Sequence, residues 1–184
     1  MEHSAATVSY LAEEQLVSIV PRQSMDSITL IGRSMPALRP LVRQEVPLWL
    51  ALLLKRHGKC SIVAPAWLDI ENLKHIYEQE QANRNRFSEL PEHWIETSEL
   101  LLNEAADDIS SEPHTIRALL QDLKEIRQSK AREGMGQLTS SYIQLDNLGR
   151  MEIHELRGFM TGIMRQLHKL DSFIEQPTSD YEDD

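Results

Sequence analysis

The sequence predicts an α+β protein, a small N-terminal β-rich domain followed by a larger α-helical bundle domain. Three observations carry that prediction. Short β-branched runs bounded by turn residues mark the first third of the chain, and apolar residues at three- and four-residue spacing dominate the rest. The charge changes at the same place: residues 1–62 carry a net +2 and residues 63–184 a net −12, giving −10 overall. The predicted division is a β-rich domain with one helix over 1–63, an α-helical domain over 64–175, and a disordered acidic tail over 176–184.

In the first unit, Leu16-Val17-Ser18-Ile19-Val20 and Ser27-Ile28-Thr29-Leu30-Ile31, bounded by Pro21 and Gly32, read as strands, and Cys60-Ser61-Ile62-Val63 reads as a third. A helix lies between the second and third, because Pro47 suits a first helical position and Gly58 suits the residue after a helix C-terminus. In the second unit, Asp69 caps a helix through Leu73, Ile76 and Tyr77. Pro91 opens another through Ile95 to Leu102, which fails near Ile109-Ser110-Ser111. Pro113 starts a third, with Ile116, Leu119, Leu120, Leu123 and Ile126 on one face, and Gly134 and Gly136 weaken its end at about 1 kcal/mol each. The fourth runs from about Met151 to Ile174. After Pro177 the acidic tail has no periodicity and too few apolar residues to offset its ordering entropy.

Composition narrows the function. Hydrophobic residues at 41% and charged residues at 26% are those of a soluble globular chain that buries a core. The acidic balance disfavours autonomous binding to nucleic acid, whose affinity comes from Lys and Arg displacing counterions, so DNA is expected to be met only through a partner. The single Cys60 excludes an internal disulfide, and nothing stands at zinc-ligand spacing, which points to a reducing compartment. The longest dense apolar run, Val46 to Leu54, is far short of the roughly 20 residues of a membrane-spanning helix, and the N-terminus shows no secretory pattern. A soluble, intracellular protein is expected.

An enzyme reading finds no residues to rest on. There is no Gly-rich phosphate loop, since Gly134-Met135-Gly136 lacks the following Lys-Ser/Thr, and no Gly-x-Ser-x-Gly elbow. The seven histidines form no His-x-x-x-His pair, so neither cofactor nor metal is expected. Asp107-Asp108 are adjacent on the chain and point about 100° apart on a helix, which prevents easy proton sharing. Cys60 follows Lys59, which could lower its pKa, but a cysteine opening an apolar strand reads first as a small buried hydrophobe.

The residues singled out are therefore candidates for packing and partner contact. Trp49 and Trp67 flank the boundary between the units and read as structural residues. Leu156, Phe159, Met160, Ile163 and Met164 belong to an apolar stripe broader than one bundle neighbour needs; the chain's own core is the default reading, and burial against another chain makes them partner-interface candidates. Arg117, Lys124, Arg127, Lys130 and Arg132 give the third helix a basic side; Arg117 and Arg127 are taken as further interface candidates, against the plainer reading of a solvated face.

Particular residues then resemble a known family. Tyr10 to Pro21 (YLAEEQLVSIVP), Asp26 to Gly32 (DSITLIG), Glu45 to Ala51 (EVPLWLA), Leu54-Lys55, Lys59-Cys60 and Pro65-Ala66-Trp67 closely resemble the family of the second PSF subunit of the GINS complex of the eukaryotic replisome. The second half agrees through Leu100-Leu101-Leu102-Asn103, Ile116-Arg117, Arg127, Lys130, Arg132, Leu145-Asp146-Asn147-Leu148 and Met151-Glu152-Ile153, so the resemblance covers roughly residues 8 to 174. It implies a β-rich domain followed by a helical one and a nuclear, non-catalytic scaffold. It further implies assembly with three sister GINS subunits into a heterotetramer, which joins the MCM ring and the Cdc forty-five protein as the active replicative helicase. One segment departs from the family. The loop after Gly32 usually carries an acidic residue and a Gly-Pro-Phe piece; here it is Arg33-Ser-Met-Pro-Ala-Leu-Arg-Pro40, with Arg43 beyond.

Overall fold

The computed structural model of the chain describes residues 4–30, 33–135 and 146–174. The predicted acidic tail, Gly136 and Leu145 lie outside them. The β-rich unit holds α1 (Ala5–Glu13), β1 (Leu16–Pro21), β2 (Ile28–Leu30), β3 (Arg33–Met35), β4 (Gln44–Pro47), α2 (Leu48–Arg56) and β5 (Cys60–Val63). β1 is the middle strand of an antiparallel sheet ordered β4-β1-β5, with Val17 opposite Val46 and Ile19 opposite Ile62. Along β1, Val17, Ile19 and Pro21 point inward, the period-two burial that its β-branched sequence predicts. β2 and β3 form a separate hairpin.

Two helices, rather than one, belong to the first unit. Ser4 caps α1 by accepting a hydrogen bond from the Thr7 N–H, and Val8 and Ala12 bury one narrow face at i, i+4 spacing. That stripe is too short to stand out in the sequence. Pro47 closes β4 and precedes α2, and Gly58 adopts φ +67° just beyond the helix, the left-handed conformation that glycine adopts without strain. α2 buries Leu48, Leu50, Ala51, Leu52 and Leu54, because it is covered by the sheet on one side and by α1 and α4 on the other.

The helical unit comprises α3 (Ile70–Ala82), α4 (Trp94–Glu104), α5 (Pro113–Met135) and α6 (Arg150–Ile174). Asp69 caps α3 by accepting from the Glu71 N–H, and α4 starts three residues after Pro91. α5 continues through Gly134. The core is continuous across both units, running from Val17, Ile19 and Val46 through Leu48 and Leu68 to Leu101, Ile116 and Leu123. Trp49 and Trp67 are partly buried against it.

The units are also joined electrostatically. Lys55 Nζ, near the end of α2, lies 2.7 Å from Asp107 and 2.8 Å from Asp108, and Asp108 accepts the backbone N–H of Ile62 at 2.7 Å. Arg56 makes a two-pronged contact with Glu104 at 2.8 and 2.9 Å.

Candidate functional site

α6 begins through its own sequence. Glu152, at the third helical position, accepts the N–H of Gly149 at 2.7 Å, a reach-back cap. Gly149 is tightly enclosed, since a Cβ there would lie 3.1 Å from the Glu92 carbonyl and from the Trp94 ring, closer than ordinary van der Waals contact. From this start α6 carries the predicted apolar stripe. Phe159 and Leu170 are each 58% exposed, while Leu156, Ile163, Met164 and Leu167 are half-buried. Met160 differs from its sequence assignment to an outer position. It is buried, on the helix that packs against α1, and so belongs to the chain's own interior. Beside Leu156 and Phe159, a groove of about 300 Å³ opens between α5 and α6, edged by Gln128, Arg132 and Glu155.

The basic side of α5 is mostly engaged within the chain. Arg117 donates to the Leu102 carbonyl at 2.7 Å, tying α5 to the last turn of α4. Lys124 pairs with Glu155 of α6 at 2.9 Å. Lys130 reaches Glu80 at 2.7 Å and the carbonyls of Glu80 and Arg86. Arg132 stays exposed.

Arg127 departs furthest from its sequence assignment as an interface residue, for its side chain is 0% exposed. All five of its N–H donors are used. Nε and Nη2 grip Glu152 in a fork at 2.8 and 2.9 Å, and Nη2 also donates to the Asn147 carbonyl at 2.6 Å. Nη1 donates to Glu80 at 3.3 Å and to the Ser88 carbonyl at 3.2 Å. The guanidinium also sits 5.0 Å from the Phe87 ring centroid. Glu80 is itself buried and accepts from Lys130, from the Ser88 N–H and from the Ser88 hydroxyl. Burial alone would raise the Glu80 pKa; Lys130, Ser88 and the Arg127 charge outweigh it and hold the carboxyl below its ordinary value. Two cations thus meet two carboxylates in a closed, formally neutral network linking α3, α5 and α6.

That network explains the segment before α6. Asn147 takes φ +61°, its carbonyl faces Arg127, and its side-chain amide donates to the Phe87 carbonyl at 3.1 Å. Trp94, fully buried, donates its indole N–H to Glu152 at 3.3 Å. The sequence singled out neither Glu80 nor Trp94, and Glu152 only as part of the Met151-Glu152-Ile153 motif, with no role given to it. The available signal was position: Ile116, Leu120, Leu123, Arg127 and Ala131 form one buried row on α5, and a charge on such a row needs a buried partner.

Cys60 is buried, and burial first, then the Asp108 charge, push its thiol up to about 11, the opposite of a thiol activated by Lys59. Among the described residues no group of three His, Cys, Asp or Glu side chains could hold a metal ion. Among the described residues no helix is long and apolar enough to cross a membrane.

The fold is thus a β-rich unit joined to a helical bundle whose last helix keeps Phe159 and Leu170 exposed. Residues 67–171 match the family profile described as the GINS complex protein helical bundle domain, and residues 4–63 match the PSF2 N-terminal domain. The chain is 45% identical over 171 residues to the DNA replication complex GINS protein PSF2 of Debaryomyces hansenii, covering 93% of this chain and 83% of that one. The protein of the same name from Candida albicans is 43% identical over 176 residues, with 96% and 87% covered. That of Schizosaccharomyces pombe is 41% identical over 167 residues, with 91% and 90% covered. The chain belongs to the PSF2 family of GINS complex proteins.

Proposed function

We propose that this chain is a non-catalytic scaffold subunit of a nuclear GINS heterotetramer. Its three sister subunits cover the outer face of α6, and the assembly joins the MCM ring and the Cdc forty-five protein in DNA replication initiation and fork progression, with DNA met only through partners. The observation that carries this reading is the exposed side of α6. Phe159 and Leu170 stand out from a stripe in which Leu156, Ile163, Met164 and Leu167 are half-buried and Met160 is buried, beside the α5–α6 groove, and a stand-alone bundle has no use for that apolar surface. The names of the relatives support the complex and the process. A scaffold acts on a ring by binding one of its states more tightly, and shifts the equilibrium by no more than that difference in affinity.

The test is reconstitution. Co-expressed with the three sister proteins, the chain is expected in a particle whose light-scattering mass corresponds to one copy of each. ATP-driven unwinding by the MCM ring with the Cdc forty-five protein is expected to rise with that particle and not with the three sisters alone. Full stimulation without this chain, or nucleotide hydrolysis by this chain alone, would overturn the proposal.

A further inference from the structure

A second surface lies in the β-rich unit, away from α6. Residues 33–43 hold three arginines, Arg33, Arg39 and Arg43, and no acidic residue, in a chain of net charge −10. The part of this segment after β3 is firmly held. Met25 and Leu38 exchange two backbone hydrogen bonds, Leu38 is buried, and the Gln44 side chain accepts the Arg39 N–H at 3.2 Å and donates to the Ala37 carbonyl at 3.4 Å. The Leu41 N–H donates to the Pro21 carbonyl at 2.9 Å. These anchors fix the tip outward: Leu41 is 83% exposed and Val42 is also exposed, between exposed Arg39 and Arg43.

Two unfavourable features coincide at Leu41. Its φ of +59° is a conformation that costs a leucine and not a glycine, and its side chain meets almost nothing of its own chain. Asp26 and Glu45 are exposed nearby in sequence, yet among the described residues no carboxylate forms an ion pair with Arg39 or Arg43. We infer that the Arg39–Arg43 loop, with Leu41 and Val42 at its tip, docks an acidic segment of a partner protein that carries an apolar side chain between its carboxylates. Arginine forks suit carboxylates, and the leucine and valine need an apolar surface opposite them. Nucleic acid fits less well: a phosphate backbone offers nothing to Leu41, Arg39 and Arg43 alone would release few counterions, and the chain's overall charge opposes it.

The experiment uses the full chain assembled with its sister subunits, with Val42 replaced by photoreactive benzoylphenylalanine, irradiated in nuclear extract. The cross-linked peptide is identified by mass spectrometry. It is expected to be an acidic segment of another protein. Arg39→Glu with Arg43→Glu should cut the yield at least tenfold, and Lys substitutions at the captured carboxylates should restore it to that variant. If the charge reversal lowers the melting temperature of the assembly, Arg39→Gln with Arg43→Gln takes its place, with the same tenfold loss expected. A cross-link to nucleic acid, to a neutral or basic segment or to residues 175–184 of this chain, no cross-link, a smaller loss, or, for the Glu variant, no restoration by the charge swap would each overturn the inference.

Discussion

Replacing Arg127 by Met removes the centre of the buried network while keeping its length and apolar stem. Glu80 keeps Lys130 and the Ser88 donors, so its charge stays compensated. Glu152 keeps only the Gly149 N–H and the Trp94 indole N–H, and becomes a buried carboxylate with no cation. Breaking a buried pair in this way costs about 3–5 kcal/mol, because the stranded charge loses its partner without regaining water. With an m-value of about 2 kcal/mol/M in urea, the unfolding midpoint should fall by about 2 M. Glu152→Gln added to Arg127→Met removes the stranded charge and should recover about 1–3 kcal/mol, since a neutral amide costs less to bury than a carboxylate. Urea unfolding followed by far-UV circular dichroism on the wild type, both single variants and the double variant gives the coupling directly. A loss below about 1 kcal/mol for Arg127→Met, or no recovery in the double variant, would refute the assignment of the network to α6 docking.

Three further outcomes follow from the same geometry. Gly149→Ala forces a Cβ against the Glu92 carbonyl and the Trp94 ring, and should cost about 1–3 kcal/mol, read as a lower melting temperature, whereas Gly158→Ala, which meets nothing within 4 Å, should not destabilise. Glu80 has a folded pKa below its ordinary value of 4.5, so its contribution to stability is fully present above about pH 4.5 and is lost as the pH falls through the lower folded value; in an acid titration of stability, Glu80→Gln should flatten that part of the curve. Cys60, raised from 9.0 to about 11, holds about 100-fold less thiolate at neutral pH than an ordinary thiol, so iodoacetamide should label it slowly in the folded chain and readily in denaturant.

The legible parts of this fold were those in which one local pattern decides the outcome. β1 follows from its β-branched alternation, the cap of α3 from Asp69, the start of α5 from Pro113, and α6 from its long stripe. The less legible parts depend on tertiary packing. α1 has only Val8 and Ala12 to bury, and β3 and β4 are short strands defined by their pairing with β2 and β1. The basic side of α5 was visible, but not its destination. A helix period tells which residues share a face and leaves open whether an arginine on it meets water or a carboxylate from another helix. Arg117 and Arg127 lie ten residues apart on one helix; the first is exposed and bonds a helix end, and the second is sealed among Glu80, Glu152 and Phe87. Met160 shows the same limit on α6: its place in the stripe did not show that it is buried within the chain, on a helix that packs against an α1 the sequence did not predict.

The claim that the outer face of α6 is completed by sister subunits is tested most directly at Phe159, which is exposed in the chain alone and therefore replaceable without disturbing its core. The measurement is the light-scattering mass of the particle co-purified with Phe159→Glu in place of the wild-type chain, alongside the circular dichroism of the isolated variant. The account predicts unchanged helical content and loss of this chain from the particle, because an unpaired carboxylate would be buried in the interface. A particle of full mass, with all four subunits at wild-type affinity, would contradict it.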